Sequence, residues 1–254
     1  MTTVETLTQR TLGGLKVGPV AERAPWFNFL VYGPPGVGKT MLTGSADAVP
    51  EMSPVLFVDV EGGTLTLRSK YPECDVVRIN TWHDLQKVYD DLYAGKSGYK
   101  TVVLDSLTEM QKFSMYGIMD DLLKKEADRD PDIPSIREWG KNIEQMRKMV
   151  RAFRDLPMNV LFTALDMADR DNRTGVTTIK PSLSGKLSNE VAGFVDIVLY
   201  MYVKVIDGQN QRLLLTSITE KHVAKWRDAP ESLPDAITDP TMQTMHDYIY
   251  GGNQ

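Results

Sequence analysis

The run Gly33-Pro34-Pro35-Gly36-Val37-Gly38-Lys39-Thr40 fills the pattern G-x-x-x-x-G-K-[ST] at every position. Its glycines let successive backbone N–H groups turn inward around an anion. In such a loop the lysine, here Lys39, reaches the β- and γ-phosphates, and the hydroxyl of Thr40 holds Mg²⁺. The flanks agree with this reading. The apolar run Phe27–Tyr32 predicts a strand before the loop, and Met41-Leu42-Thr43 starts a helix after it. The helix directs its positive end at the same anion and brings Met41 to the site. The chemistry implied is binding of a nucleoside triphosphate; the alternative is a degenerate loop that no longer binds one.

A chain of 254 residues allows one large domain or two small ones. Its 42% hydrophobic and 25% charged residues are ordinary for a globular protein. No window approaches the roughly 18 apolar residues of a membrane helix, and the polar N-terminus does not read as a signal peptide. The single cysteine, Cys74, excludes an internal disulfide and suits a reducing cytosol. The net charge of −5 means that any contact with DNA has to come from a local basic patch.

Residues 1–23 read as a polar arm, residues 24–227 as the core and residues 228–254 as a C-terminal extension of one domain. Continuous apolar runs at Phe27–Tyr32, Val55–Val60, Asp75–Ile79, Thr101–Asp105 and Asn159–Ala164 predict strands covered on both faces. Helical spacing lies between them, at His83–Tyr93, Glu109–Lys125 and Ser135–Leu156, with Ser135 and Glu138 at capping-box distance. Strands alternating with helices define an α/β fold with a mostly parallel central sheet. Later strands, within Ala192–Val205 and over Arg212–Thr219, add antiparallel or edge pieces.

Two further segments carry chemistry. Thr101–Asp105 is an apolar strand ending in a carboxylate, which in phosphate-loop enzymes sits beside the first strand and holds Mg²⁺; the alternative is a turn aspartate. Val55–Asp59 leads into Val60-Glu61-Gly62-Gly63. A hydrolase needs a group that orients or deprotonates water opposite the γ-phosphate, and Glu61 at the end of a neighbouring strand is placed for it. Asp59 either supports Mg²⁺ or only caps its strand.

Gly33–Thr40, Phe57-Val58-Asp59-Val60-Glu61-Gly62-Gly63 and Val103-Leu104-Asp105-Ser106 together resemble the RecA/RadA/KaiC-like branch of phosphate-loop ATPases. The order of motifs resembles that of phage-encoded, core-only ATPases of that branch associated with single-strand annealing and recombination. The resemblance spans roughly residues 24–250. It implies a RecA-like ATPase fold, ATP and Mg²⁺ as cofactors, Glu61 as catalytic base and Asp105 as the carboxylate of the metal. It also implies assembly into a ring or filament, work on single-stranded DNA in the bacterial host cytoplasm, and a single-strand-binding protein as a further partner. A basic pair at Lys225 and Arg227 matches the position from which such ATPases reach a neighbouring subunit's nucleotide. The polar stretch Asp169–Lys186 matches their DNA loop, where Arg170, Arg173, Lys180 and Lys186 could pair with phosphates; a solvated hairpin is the plainer alternative. Lys124–Trp139, with Arg129 and Arg137, matches the other central loop. The family's polar γ-phosphate sensor is replaced by Leu165, with Thr163 and Asp166 as the nearest substitutes. Two other classes remain open on the residues alone. One is a nucleoside or nucleotide kinase, which would leave Glu61 poorly explained. The other is a loader or scaffold switched by nucleotide with little catalysis.

Overall fold

The structure, a computed structural model, describes residues 10–18, 26–126 and 128–251. Most of the arm expected over residues 1–23 lies outside the described residues. Within it, β1 (Arg10–Leu12) and β2 (Leu15–Val17) form an antiparallel hairpin. The chain continues through β3 (Asn28–Tyr32), α1 (Lys39–Gly44), β4 (Val55–Asp59), β5 (Asp75–Arg78), α2 (Trp82–Tyr93), β6 (Thr101–Asp105), α3 (Leu107–Leu123) and α4 (Ile136–Arg154). Then come β7 (Asn159–Ala164), β8 (Asp166–Arg170), β9 (Thr177–Pro181), α5 (Leu187–Phe194), β10 (Ile197–Ile206), β11 (Gln209–Leu215), β12 (Lys225–Trp226), β13 (Ala236–Thr238) and α6 (Met242–Tyr250).

One sheet of nine strands organises the chain, in the order β13-β11-β10-β3-β7-β6-β4-β5, with β12 paired to the start of β10. The neighbours from β10 through β5 are parallel. β11, β12 and β13 supply the expected antiparallel edge. The sheet is covered on both sides, which is why its central strands read as continuous apolar runs. Leu30, Val58, Leu104 and Phe162 pack under Met110, Met146, Val150 and Phe153 of α3 and α4. The alternate residues Phe29, Phe57, Val103 and Leu161 pack against Leu42 of α1 and Met242 and Met245 of α6. Ser135 and Glu138 form the capping box at the start of α4, with the Ser135 N–H donating to Glu138 at 2.7 Å.

Three segments take definite form. The strand read over Arg212–Thr219 begins at Gln209 and stops at Leu215, because Thr216 turns away to bond Asp235. The polar stretch Asp169–Lys186 takes the plainer of its two readings: its residues 169–181 belong to the antiparallel hairpin of β8 and β9. The C-terminal extension after residue 227 joins the sheet and its core. β13 pairs with β11, and the Met242 N–H donates to the buried Ser45 hydroxyl at 2.7 Å.

Candidate nucleotide site

The loop Gly33–Gly38 bridges the carboxyl end of β3 and the N-terminus of α1. Gly36 (φ 74°) and Gly38 (φ 110°) hold left-handed backbone that side chains resist. At Gly33 the limit is space, since a Cβ there would stand 2.1 Å from the Met201 carbonyl oxygen. Lys39 is almost fully buried, and its ammonium donates to the Gly33 and Pro34 carbonyls at 2.8 Å each. Burial pulls its pKa down, while Asp105 and Glu61 pull it up. A second cation grips the loop from outside: Arg212 of β11 donates through Nε to the Val37 carbonyl at 3.1 Å.

Asp105 does not lie beside the loop's strand as expected, because β7 intervenes between β3 and β6. Its carboxylate still meets the loop. Thr40 Oγ1 donates to Asp105 Oδ2 at 2.7 Å, and the buried Thr163 hydroxyl donates to Oδ1. Burial raises the Asp105 pKa, the two hydroxyl donors lower it, and nearby Asp59 raises it further. A hydroxyl and a carboxylate converging on one point are hard oxygen donors, which suit Mg²⁺.

Glu61 stands past the end of β4, the strand next to β6, and accepts a short hydrogen bond from the hydroxyl of Ser106. Its pKa is raised, chiefly by burial; the Ser106 bond opposes this, and the charges of Asp105 and Glu109 add to it. Asp59 bonds within its own turn. Its oxygens accept from the Gly62 N–H and the Thr64 hydroxyl, both at 2.7 Å, so it braces the turn that carries Glu61.

The remaining candidates are scattered. Arg170, Arg173 and Lys186 are exposed, whereas Lys180 is buried against Asp169 in an ion pair, which corrects its assignment as a phosphate contact. Arg129 is engaged with Glu138 and Glu126, and Trp139 is 39% exposed on α4. Leu165 fills no polar sensor role; its N–H donates to the Thr108 hydroxyl at 3.0 Å. Thr163 is committed to Asp105, and Asp166 accepts from Tyr200 at 3.3 Å. Lys225 and Arg227 sit by the start of β10, at the end of the sheet away from the loop. The Lys225 ammonium caps α5 through the Ala192 and Val195 carbonyls at 2.7 Å each, and Arg227 pairs with Asp196 at 2.8 Å. Neither can serve the loop of its own chain.

Beside α1 a cavity of about 360 Å³ is lined by Gly38, Met41, Tyr71, Arg212, Asp239 and Thr241, among others. Arg212, Tyr71 and Asp239 carry no sequence signal, since strand pairing and chain return alone bring them to the loop. Ser106 was legible only as the neighbour of Asp105.

A phosphate loop backed by a parallel sheet, with a threonine–aspartate pair and a glutamate at the strand ends, is the construction of a phosphate-loop nucleotide-binding domain. Residues 27–227 match the family model described as an AAA domain, and the chain belongs to that family. No curated protein sequence matches the chain. Among solved structures it is similar to the flagellar accessory protein FlaH from Methanocaldococcus jannaschii, at 10% identity over 84% of each chain with a TM-score of 0.49. It is also similar to the KaiC-like protein PH0186 from Pyrococcus horikoshii OT3, at 15% identity over 84% of this chain and 89% of that one, with a TM-score of 0.48. No helix of the described residues is long and apolar enough to cross a membrane.

Proposed function

We propose that the protein is a Mg²⁺-dependent ATPase that assembles through its nucleotide sites and acts on single-stranded DNA in phage recombination, annealing or replication. The observation that carries the catalytic part is the convergence of Thr40, Asp105 and Glu61. Thr40 and Asp105 would hold Mg²⁺, which neutralises charge on the β- and γ-phosphates. The Lys39 ammonium leaves the Gly33 and Pro34 carbonyls for phosphate oxygens. Glu61 takes a proton from the attacking water, and the Ser106 hydroxyl fixes the direction of its carboxylate. The nucleoside occupies the cavity between Tyr71, Arg212 and Asp239.

Completion of the site across subunits rests on Arg227, which is about half exposed, and on Lys225. Lys225 would have to exchange two carbonyls of its own chain for a neighbour's phosphate. Mixing a Lys39→Ala chain with an Arg227→Ala chain tests this. Shared sites regain part of the activity that each variant lacks alone, whereas independent sites regain none.

A second reading, a nucleotide-switched scaffold with slow hydrolysis, is favoured by the apolar Leu165 where a polar sensor is expected. Molar mass by light scattering, with and without MgATP and oligo-dT, is the deciding experiment when paired with turnover over a protein-concentration series. Turnover that rises with concentration and with oligo-dT supports the ATPase. Nucleotide-dependent mass with slow turnover indifferent to DNA supports the scaffold. A constant mass and flat turnover reject assembly and DNA action together.

A further inference from the structure

On the far side of the phosphate loop from Asp105, the middle of β10 contributes two rings to a row that His222 completes. Tyr202 stacks on Tyr200 at 5.7 Å between centroids with 13° between planes. Tyr200 stacks on His222 at 4.5 Å and 28°. Tyr200 is 8% exposed and holds the centre of the row, while Tyr202 and His222 are half-buried and reach the surface. Two open cavities, of about 440 and 490 Å³, share these three rings; one is rimmed by Lys221 and Glu220, the other by Pro34 and Pro35 of the loop.

The row is held from several sides. The Tyr200 hydroxyl donates to Asp166, His222 Nδ1 lies 3.1 Å from the Thr219 hydroxyl, and the buried Tyr32 hydroxyl donates to the carbonyls of Val223 (2.7 Å) and Ile179 (3.1 Å). The segment bearing His222 is joined to β9, since the Ile179 N–H donates to Lys221 and the Val223 N–H donates to Ile179. The rings are therefore fixed to the hairpin that carries exposed Arg170. Lys204, two residues beyond Tyr202 on the same strand face, is also exposed.

We propose that the row Tyr202–Tyr200–His222 is a stacking platform for an unpaired nucleobase of single-stranded DNA, with Lys221 and Lys204 beside the adjoining phosphates. The proposal rests on the DNA reading above and gives that reading a site outside the exposed arginines. Several features select this occupant. Preformed rings bind a flat partner at small entropic cost, every base has a π-face that is available once unpaired, and flanking cations suit a polyanion. An occupant here also touches Pro34 and Pro35, so it lies against the loop that holds the triphosphate.

The test is fluorescence polarisation of labelled oligo-dT with the full chain in MgATP, using wild type, Tyr202→Ala and Tyr202→Phe, and an abasic strand of equal length. Binding of a labelled ATP analogue by each variant checks that the nucleotide site is folded. Tyr202→Ala is expected to weaken oligo-dT binding about ten-fold or more. Tyr202→Phe should stay near wild type, and the abasic strand should bind wild type as weakly as oligo-dT binds Tyr202→Ala. Equal affinity of wild type and Tyr202→Ala for oligo-dT, or of wild type for the two strands, overturns the platform and leaves the DNA reading standing. Absence of oligo-dT binding by wild type overturns both. A loss of self-association in Tyr202→Ala without a loss of oligo-dT affinity also overturns the platform and assigns the rings to a contact between copies of the chain.

Discussion

Thr40 Oγ1 lies 2.7 Å from Asp105 Oδ2, joining the end of the phosphate loop to the end of β6 across the intervening β7. A divalent cation bound with the triphosphate would enter between these two oxygens. Thr40→Ala should therefore weaken ATP binding about ten-fold or more in Mg²⁺ and change it little in chelator, by calorimetric titration. Equal losses in both conditions would place the hydroxyl on the phosphates and not on the metal.

Glu61→Gln keeps an oxygen for the Ser106 hydroxyl and removes the ability to take a proton. ATP affinity should stay within about two-fold of wild type while turnover falls about 10²–10⁴-fold. Single-turnover hydrolysis beside equilibrium binding separates the two effects, and undiminished turnover removes Glu61 from the chemistry.

Asp59→Ala removes the acceptor for the Gly62 N–H and the Thr64 hydroxyl. Loss of that brace should cost about 1–3 kcal/mol of stability in denaturant titration, because the buried Asp59 carboxylate makes two hydrogen bonds that the turn then lacks. Turnover should fall as Glu61 loses its position. The Mg²⁺ concentration at half-saturation should not move, which is the opposite pattern to Thr40→Ala.

Gly33→Ala places a methyl 2.1 Å from the Met201 carbonyl oxygen in backbone that resists a side chain. Because β10 is fixed by its pairing with β3, the loop has to yield. A stability loss of about 2 kcal/mol or more is expected, with loss of ATP binding. Gly175→Ala, also at positive φ but with open space around it, should cost less and leave ATP binding intact.

His222 titrates below its ordinary value of 6.5, first because it is buried and then because Lys221 is near. The folded state thus holds this proton less tightly than the unfolded chain does. Its contribution to stability is complete above pH 6.5 and is lost as the pH falls from there through the lower folded pKa. His222→Gln should flatten the acid side of the stability profile in that window, as measured by denaturation midpoints at stepped pH. An unchanged slope would mean that the imidazole titrates alike in both states.

The arrangement around Gly33–Thr40 was legible because its chemistry is local. Eight consecutive residues carry the glycines, the ammonium and the hydroxyl, and an apolar strand before them is enough to place the loop. The parallel core was legible for a similar reason, as strands such as Val55–Asp59 and Thr101–Asp105 are buried along their whole length and show it as unbroken apolar runs. The carboxylates stood out as Asp59, Glu61 and Asp105, but their division of labour did not. It depends on which donors face them: Gly62 and Thr64 for Asp59, Ser106 for Glu61, Thr40 and Thr163 for Asp105.

The hairpin β8–β9 was legible only as one of two alternatives, because polar residues that pair over solvent look the same as a loop. Lys180 looked like a phosphate ligand until its pairing with Asp169 came into view. Lys225 looked like a free cation until its two carbonyl partners did. By itself the amino-acid sequence determined a phosphate loop on a parallel α/β sheet, because both properties reside in short runs of residues. Only the tertiary structure decided that β7 separates the loop from Asp105, that Arg212 closes over Val37, and that Tyr200, Tyr202 and His222 stack beside Pro34 and Pro35. Those contacts join residues far apart in the chain, and strand order and side-chain packing, not local spacing, bring them together.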